Sequence, residues 1–119
     1  MATGEELREA LDDYLARARE NPRVRKLLKG WSCVLHVVPT DVEATFTVVV
    51  EEGEAASVAD GLQGAPDLVL EASSEDFADI FWGDANPASQ YMNAALKVRG
   101  SSEDVMRLDA MAMLIYLGE

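Results

Sequence analysis

Cys33 and His36 are the only thiol and the only imidazole in this 119-residue chain, and they lie three positions apart. Brought to one point, such a pair could generate a thiolate nucleophile with the imidazole as its base. Their surroundings alternate in strand fashion, and on an extended strand side chains three positions apart point to opposite faces. A Cys/His dyad is therefore not expected, and no Ser/His/Asp set can be completed without this one His. His36 faces away from Trp31 and Leu35, so a structural or exposed role is expected. No spacing of carboxylates around it proposes a metal site. The clusters Glu51-Glu52-Gly53-Glu54 and Asp12-Asp13 read as solvated turns and helix faces. Neither catalytic residues nor a cofactor are expected.

The formal net charge is -12. A surface of that sign repels phosphate backbones, so nucleic-acid binding is not expected as a main function. It also disfavours simple electrostatic attachment to anionic membranes. The basic residues are unevenly placed: Arg17, Arg19, Arg23, Arg25, Lys26 and Lys29 fall in one short segment. That segment reads as a solvated helix pair, with a docking patch for an acidic partner, a membrane surface in transient contact or a CoA phosphate as the sharper alternative. A single Cys allows no internal disulfide. No apolar run approaches the roughly 20 residues of a membrane span, and neither terminus carries a secretory or peroxisomal signal. A cytoplasmic protein of one domain, residues 1–119, is expected.

The pattern predicts the elements that must position these residues. Thr3 with Glu6 makes a capping box, and Leu7, Leu11, Tyr14, Leu15 and Ala18 recur at helical spacing behind it. Asn21-Pro22 opens a short second helix, with Val24, Leu27 and Leu28 as its buried face. The period then changes. Trp31, Cys33, Leu35 and Val37 alternate along one strand, and Val42, Ala44, Phe46, Val48 and Val50 along the next; the short Pro39-Thr40-Asp41 turn pairs them antiparallel. A weaker strand is expected from Ala56 to Leu62 and a short one over Asp67–Glu71. Ser73 caps a helix whose Phe77, Ile80 and Phe81 share a face and which ends at Trp82-Gly83. Asn86-Pro87 starts another, with Tyr91, Met92 and Ala95 as its apolar members. Leu96–Gly100 forms a last strand, with Leu96 and Val98 inward and Lys97 and Arg99 outward. Ser101 caps the final helix.

That final helix starts amphipathic, with Val105 and Leu108 set against Arg107 and Asp109. From Ala110 to Leu117 it is apolar without a break. A surface helix ordinarily keeps a polar face. Burying a Leu- or Met-sized side chain is worth roughly 1.5–3 kcal/mol, and a small domain has little protein to spare for enclosing it on all sides. Something must cover the second face: another layer of the domain, a second subunit, or a bound apolar ligand. Met106, Met111 and Met113 lie on this helix and Met92 just before it. Met is adaptable and suits both core filling and a surface that accepts varied apolar shapes.

Residues 67 to about 114 resemble the sterol-carrier-protein-2 family. The resemblance rests on Asp67-Leu68-Val69-Leu70, Glu75-Asp76-Phe77, Gly83, Asn86-Pro87, Tyr91-Met92, Leu96-Lys97-Val98-Arg99-Gly100 and the closing apolar helix, in that order and spacing. Two positions depart from the family pattern. Ala94-Ala95 stands where Gly-Lys is common, and Ser101 stands where Asp often follows the strand's Gly. The first removes a positive charge near the cavity rim. The resemblance implies an α/β fold of α+β type, with a twisted, five-stranded, mainly antiparallel sheet covered on one side by helices and an apolar tunnel beneath the C-terminal ones. It implies non-catalytic binding and transfer of sterols, fatty acids, fatty acyl-CoA or phospholipids. The residues expected to line the tunnel are Phe77, Ile80, Phe81, Tyr91, Met92, Leu108, Met111, Leu114 and Leu117, with Trp82 at its mouth. The alternative is a protein-interaction module on the same scaffold, dimerising through the last helix with the tunnel closed. Monomer and homodimer both remain open.

Overall fold

The computed structural model describes residues 2–93 and 95–118, without the side chains of residues 55 and 56. Two helices come first, α1 (Gly4–Glu20) and α2 (Pro22–Leu28). Thr3 accepts a hydrogen bond from the Glu6 N–H and caps α1. The Asn21 side chain accepts from the N–H groups of Arg23 and Val24 and caps α2, whose first residue is Pro22. Five strands follow: β1 (Cys33–Pro39), β2 (Phe46–Glu51), β3 (Glu54–Asp60), β4 (Leu68–Ala72) and β5 (Lys97–Gly100). Helices α3 (Ser74–Trp82) and α4 (Pro87–Met92) lie between β4 and β5, and α5 (Ser102–Leu117) ends the chain.

The strands form one sheet in the order β3-β2-β1-β4-β5. Three neighbour pairs are antiparallel, and the central β1–β4 pair is parallel. In register, Leu35 stands between Val48 and Leu68, and Val37 between Phe46 and Leu70. These residues, with Cys33 and Val50, are buried on the face that the helices cover. Helix α1 supplies Leu7, Leu11, Tyr14 and Leu15 to the same core. The faces predicted for the first, second and last strands are kept, because the alternation follows the face that is buried.

The fourth and fifth strands are displaced from expectation by one residue, to Leu68–Ala72 and Lys97–Gly100, and the first three differ as follows. The second strand begins at Phe46, not Val42. Val42 and Ala44 still pack against the core, but Asp41 turns aside to accept hydrogen bonds from the Ser74 N–H and hydroxyl at 2.8 and 2.9 Å. The third strand spans Glu54–Asp60, against the expected 56–62, with a bulge opposite Val49/Val50. Trp31 precedes β1; it is buried, and its indole N–H donates to Asp104 at 2.9 Å.

Candidate functional site

The thiol and the imidazole are not brought together. Cys33 is buried under the helices, and burial pushes its thiol up to about 12, so it stays protonated at neutral pH. His36 lies on the other face of the sheet, beside Thr47 of β2, and is buried against the loop after β3. Its Nε2 is 3.0 Å from the Gln63 carbonyl, and the same loop is tied to β2 through the Thr47 hydroxyl, which donates to Gly61 O and accepts from Gln63 N–H. His36 thus holds a structural place. Among the described residues no group of three His, Cys, Asp or Glu side chains is arranged to hold a metal ion, and no helix is long and apolar enough to cross a membrane.

The apolar candidates divide by depth. Phe77, Ile80 and Phe81 share one face of α3 because positions three and four apart stack along a helix. All three are buried. Phe77 stacks on Phe81 with centroids 5.6 Å apart, and Tyr14 of α1 lies 5.3 Å from Phe81 on the other side. The carboxyl end of α3 is closed by Gly83 in the left-handed conformation and by the Arg17 guanidinium, which donates to the Phe81 carbonyl. Leu108 and Met111 of α5 belong to the same continuous core. Leu114 is half-buried against it, as are Leu96, Val98 and Val105.

The remaining candidates lie at the surface. Trp82 and Tyr91 are about half exposed, Met92 is 83 % exposed and Leu117 56 %. Of α4 only Pro87 is buried, so Tyr91 and Met92 are not part of the core. The side chain of Ala95 is half-buried, and Ala94 lies outside the described residues.

The sequence reading missed Ile115, the third buried member of α5 beside Leu108 and Met111. The signal was available in the spacing. Each residue advances about 100° round a helix, so Leu108, Met111 and Ile115 stay within one sector. The series Leu108, Met111, Leu114, Leu117 drifts by about 60° at each step and finishes on the opposite side. On that opposite side Met106, Ala110, Met113 and Leu117 make an apolar stripe. Met106 is 70 % exposed, and Met113 is half-buried.

Contacts on α5 fix its orientation. The Arg107 guanidinium donates to Leu27 O of α2 and lies over the Trp31 ring. The Asn21 side chain reaches Leu114 O at 3.5 Å. One flank therefore lies along α2, and the helix also packs against α4 and β5. Asp109 is about 200° round from Arg107, on the flank turned away from α2; partial burial holds its carboxyl above the usual range.

A groove of about 650 Å³ runs elsewhere, between α1 and the ends of β2 and β3, among Glu5, Arg8, Glu9, Asp12, Glu43 and Asp60. Arg8 is committed there to Asp12, Asp60 and the Val58 carbonyl. None of the expected lipid-contacting residues lines it.

The model of the SCP-2 sterol transfer family matches residues 11–113. No curated protein matches the chain. Among solved structures, it is similar to a crystal structure of sterol carrier protein 2, at 15 % identity and a TM-score of 0.69, covering 92 % of each chain. It is similar to the sterol carrier protein domain 2 of Helicoverpa armigera at 14 % identity and a TM-score of 0.71, covering 93 % of this chain and 88 % of that one. A third is palmitated SCP2L2 from Aedes aegypti, at 14 % identity and a TM-score of 0.68, covering 91 % and 92 %. At these identities the likeness is one of fold: the mixed α/β arrangement with a mostly antiparallel five-stranded sheet.

Proposed function

The chain belongs to the SCP-2 sterol transfer family, and on that premise we propose that it holds one apolar lipid against α3, α4 and α5 and carries it without chemical change. Family membership supports lipid binding or transfer in general. The observation that carries the particular reading is the distribution of apolar side chains on α5. Leu108, Met111 and Ile115 take up the contact that the sheet and the other helices offer. Met106 and Leu117, with Tyr91 and Met92 of α4, are left in water. An apolar ligand bound mainly by buried area, with a few polar groups to orient it, is what such a surplus suits. The palmitated relative supports an acyl-chain-like shape for what is held.

In this reading Phe77, Ile80, Phe81, Leu108 and Met111 form the floor. Leu114 stands at the margin, and Trp82, Tyr91, Met92 and Leu117 close over the ligand. The neutral, buried Cys33 thiol and the structurally engaged His36 supply no nucleophile or base to this side of the sheet, which favours a carrier over an enzyme.

The test is saturable binding of an uncharged fluorescent lipid probe to the full chain, with its emission displaced by unlabelled lipid. The expected result is one probe per chain, with a blue shift on binding. Folded protein that leaves the probe in water would overturn the proposal.

A further inference from the structure

The chain carries a net charge of -12, and six of its ten basic residues fall between Arg17 and Lys29. Two copies therefore repel each other over most of their surfaces, and least where these cations lie. Along α2 and its carboxyl cap, Pro22, Arg25, Lys26 and Lys29 recur at helical spacing and share one side, away from the buried Val24 and Leu28. The three charged members are exposed. Their side chains hold no hydrogen bond or ion pair among the described residues.

Across a groove of about 450 Å³ stands the turn between β2 and β3, with Glu52 and Glu54 on the facing wall. Glu51 lies beside them. These carboxylates are exposed too, and among the described residues no ion pair joins them to the basic wall. The two walls are held in place by backbone contacts. The Gly53 N–H donates to Trp31 O at 2.8 Å and the Glu52 N–H to Ser32 Oγ at 3.1 Å. The turn comes so close to the end of α2 that a Cβ on Gly53 would stand 2.6 Å from the Leu28 carbonyl oxygen. A surface fixed before association has less ordering to lose when it binds.

We propose that this groove is the seam of a weak homodimer, in which the basic wall of each copy lies against the acidic turn of the other. The symmetry suits the charges. A two-fold axis running along the groove exchanges its two sides, so each copy's Arg25, Lys26 and Lys29 meet the other's Glu51, Glu52 and Glu54. A patch of one sign would meet itself across such an axis and be repelled. Here three cations stand beside three carboxylates, and the patch is formally neutral in a strongly acidic chain. Pairs of exposed charges give a weak association that salt screens. None of the residues expected to contact lipid lines the groove, so the seam is separate from the carrier surface and does not rest on that reading.

The experiment is sedimentation equilibrium of the full chain up to about 0.5 mM, in about 50 mM and about 0.5 M salt, which shortens the Debye length to a few ångströms. A reversible monomer–dimer equilibrium is expected in low salt, at least about tenfold weaker in high salt. Two charge-reversed variants follow, Lys26→Glu/Lys29→Glu and Glu52→Lys/Glu54→Lys. Each alone is expected to stay monomeric, and their equimolar mixture to restore the dimer. The second variant lowers the net negative charge, so overall repulsion would not account for its failure to self-associate. All four positions are exposed, and the urea midpoints of both variants should match that of the parent chain. If either unfolds, the salt dependence of the parent chain decides by itself. A parent chain that is monomeric throughout would overturn the proposal. So would a dimer indifferent to salt and to both reversals, which would place the seam elsewhere, or a mixture of folded variants that stays monomeric.

Discussion

Replacing Met92 and Leu117 together by Asn is expected to lower lipid affinity by about tenfold or more while leaving the fold intact. Both side chains are mostly exposed in the ligand-free chain, so their loss removes little packing, and surface substitutions of this kind usually change stability by no more than about 0.5 kcal/mol. If a lipid covers them, each forfeits part of the roughly 1.5–3 kcal/mol that complete burial of such a side chain is worth. A combined loss near 1.4 kcal/mol already corresponds to the tenfold change. Asn is chosen because it adds polarity without charge, so the rim electrostatics stay as they are. Probe titration and urea unfolding on the same preparation separate the two effects. Unchanged affinity would remove these residues from the binding surface. A large fall in stability would show that they pack in solution.

Phe77→Ala is expected to cost about 3–5 kcal/mol of folding stability, the usual range for deleting a buried aromatic side chain. Phe77 is 1 % exposed, stacks on Phe81 and joins α3 to the core shared with α1 and the sheet. Small domains are stable by only about 5–15 kcal/mol in all, so the variant should unfold at a much lower urea concentration. Phe77→Leu, which keeps most of the volume, should be far milder. The measurement is the midpoint and slope of the urea transition. A cost below about 1 kcal/mol for Phe77→Ala would mean that the ring borders open space and not packed protein.

These two variants mark where the sequence could and could not be read. Local signals were legible because they act over three or four residues. Thr3, Asn21, Ser73, Asn86 and Ser101 each cap the helix they were expected to start, through a side-chain oxygen accepting a nearby N–H. The alternation through Cys33, Leu35 and Val37 gave the buried face of β1, because a strand has only two faces to choose from. Long-range contacts were not legible. Nothing near Leu35 says that Leu68 will lie beside it in parallel, and Asp41 leaves the strand pattern because Ser74, far along the chain, captures its carboxylate. The exposure of Met92 had no local signal either. Helix α4 is six residues long and presents only Pro87 to the core, so Tyr91 and Met92 stay at the surface although the helix packs beside α5. The apolar end of α5 was plain in the sequence. Which of its members meet protein became clear only once Arg107 and Asn21 had fixed the helix against α2.

The central claim is that a captured lipid covers apolar surface the chain cannot cover with its own side chains. Its most direct test is to purify the full chain from cells without detergent, unfold it, extract it with organic solvent and quantify lipids by mass spectrometry against protein. The expected result is close to one lipid per chain, reduced in the Met92→Asn/Leu117→Asn variant. Well-folded protein that yields no lipid above a matched control protein, and that takes none up from vesicles, would contradict it.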